Sequence, residues 1–479
     1  MSRALSRTSG TGRVRALALV VVGAVALGGL PSAATVALDT TVGAPGVGDP
    51  YWPLDGNGGI DVRHYDVAVD YDFATGELSG TTTLTMAART DLASFHLDLL
   101  LPVTAVSVDG VPAAFTKPVE HELRVSPATT VARDDVVEVE VSYAGRPGSI
   151  VYADELNWLA SDREVLAANE PHMAPWWYPA NDHPSDKATF DVAVTGPATH
   201  QAVSNGLLVA RTVEGDRATT RWRTVRPMTT YNALFALGRY DVEQTTHGGL
   251  PSYVAVSRDL GASERAAAMR QLRRSDEITA WLARRLGPYP FESTGGLVTG
   301  LPAGFALENQ TRPTYPGTPD TELLVHELGH QWFGNSVSVR RWRDIWLNEG
   351  FAQFLQHYWL ETHRGQPAQQ WLRKTHRAFA STSGFWRLDI ADPGPARVFD
   401  NAVYVRGAMA VQALRHRIGD RTFWRLLRAW TDRRRHGTGG IGDFRTLAEK
   451  VARQPLDGFF RAWLSAPRAP AVTRRNGLR

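Results

Sequence analysis

The spacing of hydrophobic positions changes once along the chain. From Tyr65 they alternate: Tyr65, Val67, Val69 and Tyr71 share one side, with Asp66, Asp70 and Asp72 among the residues opposite. This is the period-two pattern of a half-buried strand. Similar runs recur at Val137, Val139, Val141 and Tyr143, at Phe190, Val192 and Val194, and around Thr219 to Val225, separated by turn residues such as Asp109-Gly110 and Glu214-Gly215. Short strands without long intervening helices predict an antiparallel, sandwich-like β-domain over residues 61–243. After Ser263 the period becomes helical, with Ala268, Leu272, Ile278, Leu282 and Leu286 on one stripe that ends at Gly287-Pro288. Ser293 to Gly300 predicts a short strand, and Thr321 to Gly334 and Trp346 to His363 predict helices. Further helices are expected over 402–418, 421–433 and 443–452. The fold class is therefore α+β and multidomain, with a mainly helical second domain over residues 244–479.

The first 34 residues break this pattern. Arg3, Arg7, Arg13 and Arg15 precede the apolar run Ala16 to Leu30, which small residues follow up to Ala34. That order predicts a secretory signal peptide over residues 1–34, cleaved near Ala34, and hence a secreted protein with no stable membrane insertion. Residues 35–60, rich in Gly, Pro and Asp, read as an irregular entry segment. Hydrophobic residues make up 43% and charged residues 21% of the chain, ordinary globular usage that suggests neither disorder nor a coiled coil. The net charge is +3, and arginine runs such as Arg433-Arg434-Arg435 lack interleaved aromatic stacking residues, so no nucleic-acid partner is expected. There is no cysteine. Neither disulfides nor thiolates are available, and any metal must be held by His, Asp or Glu.

Those residue types meet in one place. His326-Glu327-Leu328-Gly329-His330 lies within the helix predicted from Thr321. Histidines four apart project from one helical face about one turn from each other, so both imidazoles can reach one ion, and the Glu between them is positioned as a general base. A hydrolytic zinc site takes three protein ligands and keeps a position for water. Glu349, near the start of the next predicted helix, supplies the third donor. The residues thus predict one Zn2+ per chain on His326, His330 and Glu349, with Glu327 as base.

The string from His326 to Phe351, HELGHQWFGNSVSVRRWRDIWLNEGF, resembles the gluzincin aminopeptidases of the M1 family, which also place eighteen residues between the second His and the Glu ligand. The resemblance implies a thermolysin-like catalytic domain after an N-terminal β-domain. It implies a catalytic tyrosine downstream, matched by Tyr404, with Arg406 where lysine is common. Gly304-Phe305-Ala306-Leu307-Glu308-Asn309 is similar to the motif that receives the substrate's amino terminus, which implies substrate contacts for Ala306, Glu308 and Asn309. Phe305 and Leu307 depart from the usual glycine and methionine. Glu170, twelve residues before Asp182, matches a second carboxylate of that subsite. The resemblance runs from about Asp61 to Ala466, so a short form without the large C-terminal helical domain, and a more open cleft, are expected.

The expected function is a secreted zinc aminopeptidase acting on peptides with a free N-terminus. Two alternatives remain at this point: an open-cleft metallo-endopeptidase using the same zinc residues, and a catalytically silent binding protein. The preferred N-terminal residue, the oligomeric state and the ligands' supporting partners are not legible.

Overall fold

The computed structural model describes residues 42–479 apart from residue 156. The expected signal segment, its cleavage position and the first part of the 35–60 entry segment lie outside the described residues. From residue 42 to the first strand the chain is irregular, and Gly43 donates to the Ser94 carbonyl at 2.8 Å.

The N-terminal half is built on an eight-stranded sheet. Its central strand, Ile60–Asp72, buries Tyr65, Val67, Val69 and Tyr71 and turns Asp66 and Asp72 to solvent. One neighbour, Glu77–Ala88, is antiparallel as expected. The other, Lys187–Pro197, is parallel, which departs from the antiparallel reading. The cause is connection length: a parallel neighbour needs a long crossover, and the intervening strands supply it. In that pairing Tyr65, Val67 and Val69 lie beside Phe190, Val192 and Val194. A three-stranded sheet, in the order Phe95–Asp98, Glu122–Ser126, Ala114–Val119, and a four-stranded sheet complete the β-domain.

The next sheet begins with the hairpin Tyr240–His247 and Leu250–Ser257, and its second strand pairs in parallel with Thr294–Val298. Helices follow. The single helix expected after Ser263 is two, α1 (Ala262–Leu272) and α2 (Ser275–Leu286). The apolar stripe steps by six residues between Leu272 and Ile278, which one continuous helix cannot keep on one face; the break rephases it. Beyond lie α3 (Thr321–His330), α4 (Trp346–Thr362), α5 (Ala368–Phe379), α6 (Ser383–Arg387), α7 (Asn401–Ile418), α8 (Asp420–Arg433) and α9 (Ile441–Ala452). The helix α3 stops four residues short of the expected Gly334, which has φ +123° and lies in a turn.

Two apolar cores result, one inside the β-domain and one among the helices, and each borrows from the other half of the chain. Leu297, Leu301 and Leu307 pack into the β core, and Tyr231 packs into the helical one. Lys187 Nζ donates to the carbonyls of Asn335 and Ser336 at 2.6 and 3.0 Å, a further tie between the halves. Among the described residues no helix is long and apolar enough to cross a membrane.

Candidate metal centre

Helix α3 starts where the Asp320 carboxylate accepts the Leu323 N–H at 2.8 Å, satisfying one of the free donors of the first turn. One face then presents His326 and His330, both buried. Helix α4 packs against it and brings in Glu349 from its first turn. Gly329 permits the approach, since a Cβ there would lie 2.9 Å from Leu355 Cδ1.

Glu349 Oε2 lies 3.3 Å from His326 Nε2 and 3.4 Å from His330 Nε2. Donors around a tetrahedral ion with bonds of about 2.0–2.1 Å stand roughly 3.3 Å apart, so the spacing fits zinc. The outer ring nitrogens are also placed for it. His326 Nδ1 donates to Gln356 Oε1 at 3.1 Å and His330 Nδ1 to the Phe333 carbonyl at 3.0 Å, leaving both Nε2 atoms to face Glu349. The early end of α3 has a use here, because the turn after His330 swings the Phe333 carbonyl onto that ring. Asp320 and Asp344 act elsewhere: Asp320 caps α3 and Asp344 accepts the Ile441 N–H at 3.1 Å.

The donors line a cavity of about 410 Å³ together with Glu327, Tyr404, Glu308, Glu170 and Ala306. Tyr404 reaches it from α7, its ring parallel to that of His326 at 6.2 Å between centroids. The two helices meet through glycines: a Cβ on Gly350 would lie 3.0 Å from the backbone of Gly407, so Glu349 and Tyr404 are brought together by a contact only glycine allows. Glu308 is buried; Tyr231 donates its hydroxyl to Glu308 Oε1 at 2.8 Å, while Gln331 and Asn335 donate side-chain amides to its carbonyl at 3.2 and 2.6 Å. Glu170 Oε1 is buried without a hydrogen-bond partner among the described residues. Asn309, expected beside the substrate, is not at the cavity: its amide donates to the Asn232 carbonyl at 3.1 Å. Phe305 lines the cavity at 49% exposure.

Four carboxyl groups share this space with two imidazoles. Burial pushes Glu327 up to about 7, with Glu308 and Glu349 adding to it and His326 and His330 opposing. Burial, then Glu308, raises Glu170 well above the usual carboxylate range. Burial and the carboxylates, Glu349 first, push the Tyr404 phenol well above its ordinary value, so it remains an O–H donor. The excess of negative charge suits a dication together with a cationic substrate group. Tyr231 and Gln356 were not singled out from sequence. Gln356 had a signal, for it follows Glu349 by two helical turns. Tyr231 had none, since it meets Glu308 across 77 positions of the chain.

Comparison with known proteins agrees with this geometry. Residues 62–232 match the peptidase M1 N-terminal domain and residues 292–463 the peptidase family M1 domain. Among curated proteins, leucyl aminopeptidase of Saccharolobus solfataricus is 23% identical over 443 residues, covering 86% of this chain and 54% of its own length. Aminopeptidase M1 of Arabidopsis thaliana is 23% identical over 459 residues, covering 86% and 51%. The chain thus spans about half the length of the curated relatives it matches. Among solved structures, a mutant M1 zinc metallopeptidase from Deinococcus radiodurans bound to a Tyr-Ser-Ala substrate superposes with a TM-score of 0.79 at 25% identity, covering 89% of this chain and 100% of that one. A two-domain M1 zinc metallopeptidase mutant bound to L-arginine gives 0.76 at 26% identity, covering 89% and 100%. With both halves of the fold matched and three candidate zinc donors at the right spacing, the chain belongs to peptidase family M1.

Proposed function

We propose that this protein is a zinc aminopeptidase that releases residues from the free N-terminus of peptides. The observation that supports it is the pair of carboxyl groups, Glu308 and Glu170, sharing one cavity with His326, His330, Glu349 and the base Glu327. An endopeptidase has no need of two acids at one end of its cleft, whereas an α-ammonium is met by such a pair. The relatives named leucyl aminopeptidase and aminopeptidase M1, and the neighbour carrying a tripeptide, are consistent with it. The Arg-rich, apolar and small-residue order of residues 1–34 supports export as part of the same proposal.

His326, His330 and Glu349 would hold the zinc ion, which would supply an acidified water and a Lewis acid for the scissile carbonyl. Glu327 would accept a proton from the attacking water and later deliver it to the departing amine. Tyr404 donates its O–H to the scissile carbonyl oxygen as negative charge gathers there. Glu308 and Glu170 hold the α-ammonium, so that the first peptide bond, not a later one, is placed at the base.

The test compares an unblocked aminoacyl reporter with its N-acetylated form. Cleavage of the free form alone is expected, and a preference for the blocked form or for internal bonds would refute the aminopeptidase reading. Glu327→Gln should keep its zinc and lose hydrolysis by at least about 100-fold, the usual size of a general-base contribution. Glu308→Ala should lower kcat/KM by about 10–100-fold for the free reporter, the loss of one charge-assisted contact. An unaffected Glu327→Gln enzyme would remove the assigned base, and with it the silent-protein alternative would also have to be discarded.

A further inference from the structure

The three-stranded sheet of the β-domain holds an arrangement that the hydrolytic site does not use. In the antiparallel pairing of Phe95–Asp98 with Glu122–Ser126, Asp98 stands directly opposite Glu122, each 1% exposed. Like charges opposite one another weaken a strand pair even at a surface, and burial raises the cost of each charge.

The neighbouring groups do not relieve this. Asp98 Oδ2 accepts from the Asn57 amide at 2.9 Å and from the Asp182 N–H at 2.7 Å, but its Oδ1 has no hydrogen-bond partner among the described residues. Neither oxygen of Glu122 has one. The buried His172 is already engaged, with Nε2 at 2.9 Å from Asp55 Oδ2 and Nδ1 at 3.2 Å from Glu155 Oε1. His121 is buried too, with Nε2 at 3.5 Å from Glu122 Oε1 and at 3.4 Å from both the Leu54 carbonyl and the Tyr152 hydroxyl, contacts that an ion would have to replace. One donor atom each from Asp98, His121 and Glu122 lies within 4.8 Å of the others. Donors on opposite sides of one ion with bonds of about 2.4 Å are that far apart.

We propose that Asp98, Glu122 and His121 hold a second divalent cation inside the β-domain, separate from the His326, His330 and Glu349 centre. Two carboxylates and one imidazole form an oxygen-rich set of the kind that suits Mn2+ or Ca2+ better than a softer ion. The charge argument runs the same way, since a dication cancels the buried pair, to which no lysine or arginine is paired among the described residues. The rival is a proton shared between the two acids, for which burial, which raises Glu122 to about 8, provides the chemistry. Protein–metal stoichiometry separates the two readings and does so independently of any peptidase activity.

Elemental analysis would be run on the full chain after incubation with MnCl2 or CaCl2 and gel filtration. Two metal equivalents per chain are expected, falling to one in the His326→Ala, His330→Ala double variant and to one in Glu122→Gln. One equivalent in the parent and none in the double variant would overturn the proposal in favour of the shared proton. If Glu122→Gln does not fold, thermal unfolding of the double variant decides: a chelator should lower its Tm, and an unchanged Tm with no bound metal would overturn the proposal.

Discussion

Gln356 shows what a single side chain does without touching the metal. By accepting from His326 Nδ1 it fixes the tautomer and the ring plane that aim Nε2 inward. Gln356→Leu should therefore weaken zinc about 10–100-fold, read by competition with a chromogenic chelator, while leaving the fold intact. Farther along the same helix His357 lies over Trp371 at 3.7 Å between ring centroids, and burial holds its pKa down to about 4. Because the folded value is below the ordinary 6.5, the unfolded chain takes up a proton first on acidification. Stability from this residue is complete above pH 6.5 and is lost as pH falls toward 4, by on the order of 3 kcal/mol. His357→Phe should flatten that part of the Tm-against-pH curve, and an unchanged slope would contradict it. At this scale the three candidate metal donors were legible because two of them are fixed by helical spacing alone, whereas Tyr231, reaching Glu308 from a distant turn, obeys no local pattern.

Between elements, the meeting of α4 with α7 governs how far Tyr404 stands from the metal donors. A Cβ on Gly407 would lie 2.9 Å from Gly350 Cα, backbone against backbone, so nothing flexible can give way. Gly407→Ala should push α7 outward, retain zinc, and lower kcat more than it raises KM, since in the proposed mechanism Tyr404 acts on charge that develops only during reaction. A variant with parental kcat would show that the contact is incidental. Arg406, on the same helix, is fully buried and donates to the carbonyls of Trp463, Trp386, Leu388 and Ala466 at 2.5 to 2.9 Å. It therefore anchors α7 to the last turns of the chain and leaves Tyr404 as the side chain that reaches the cavity. Element types were readable where hydrophobic spacing is strong. The split between α1 and α2 was present as the six-residue step after Leu272, while α5 escaped notice because only Ala368, Leu372 and His376 of its twelve residues are buried.

Across the whole molecule, Arg312 joins the two halves with no acid in a salt bridge to it among the described residues. Its guanidinium donates to Tyr253, Thr294 and Gly206 carbonyls and lies over the Tyr253 and Trp222 rings at 4.9 and 5.4 Å. Gly206 and Trp222 belong to the β-domain and Thr294 to the second sheet, so one side chain spans the seam. Arg312→Met fills similar space yet takes the guanidinium donors from three buried carbonyls, of which Gly206 keeps the Ser293 hydroxyl. A loss of about 3 kcal/mol or more is expected in chemical denaturation, and a change under about 0.5 kcal/mol would show the seam to be held elsewhere. The order of β-domain and helical domain was legible from the change of hydrophobic period. The side-by-side placement of Ile60–Asp72 and Lys187–Pro197 was not, because alternation marks a strand and says nothing of its neighbours.

That placement also orders events in time. His64 is matched with Thr189, 125 positions later, so a nascent chain leaving the ribosome carries one open flank of its first strand until the far partner has been made. Acidic side chains, Asp66 and Asp70, punctuate that waiting flank. They keep it from templating on another copy during the delay, a safeguard that costs the finished protein little because Arg217 later pairs with Asp70 and Arg223 lies alongside Asp191.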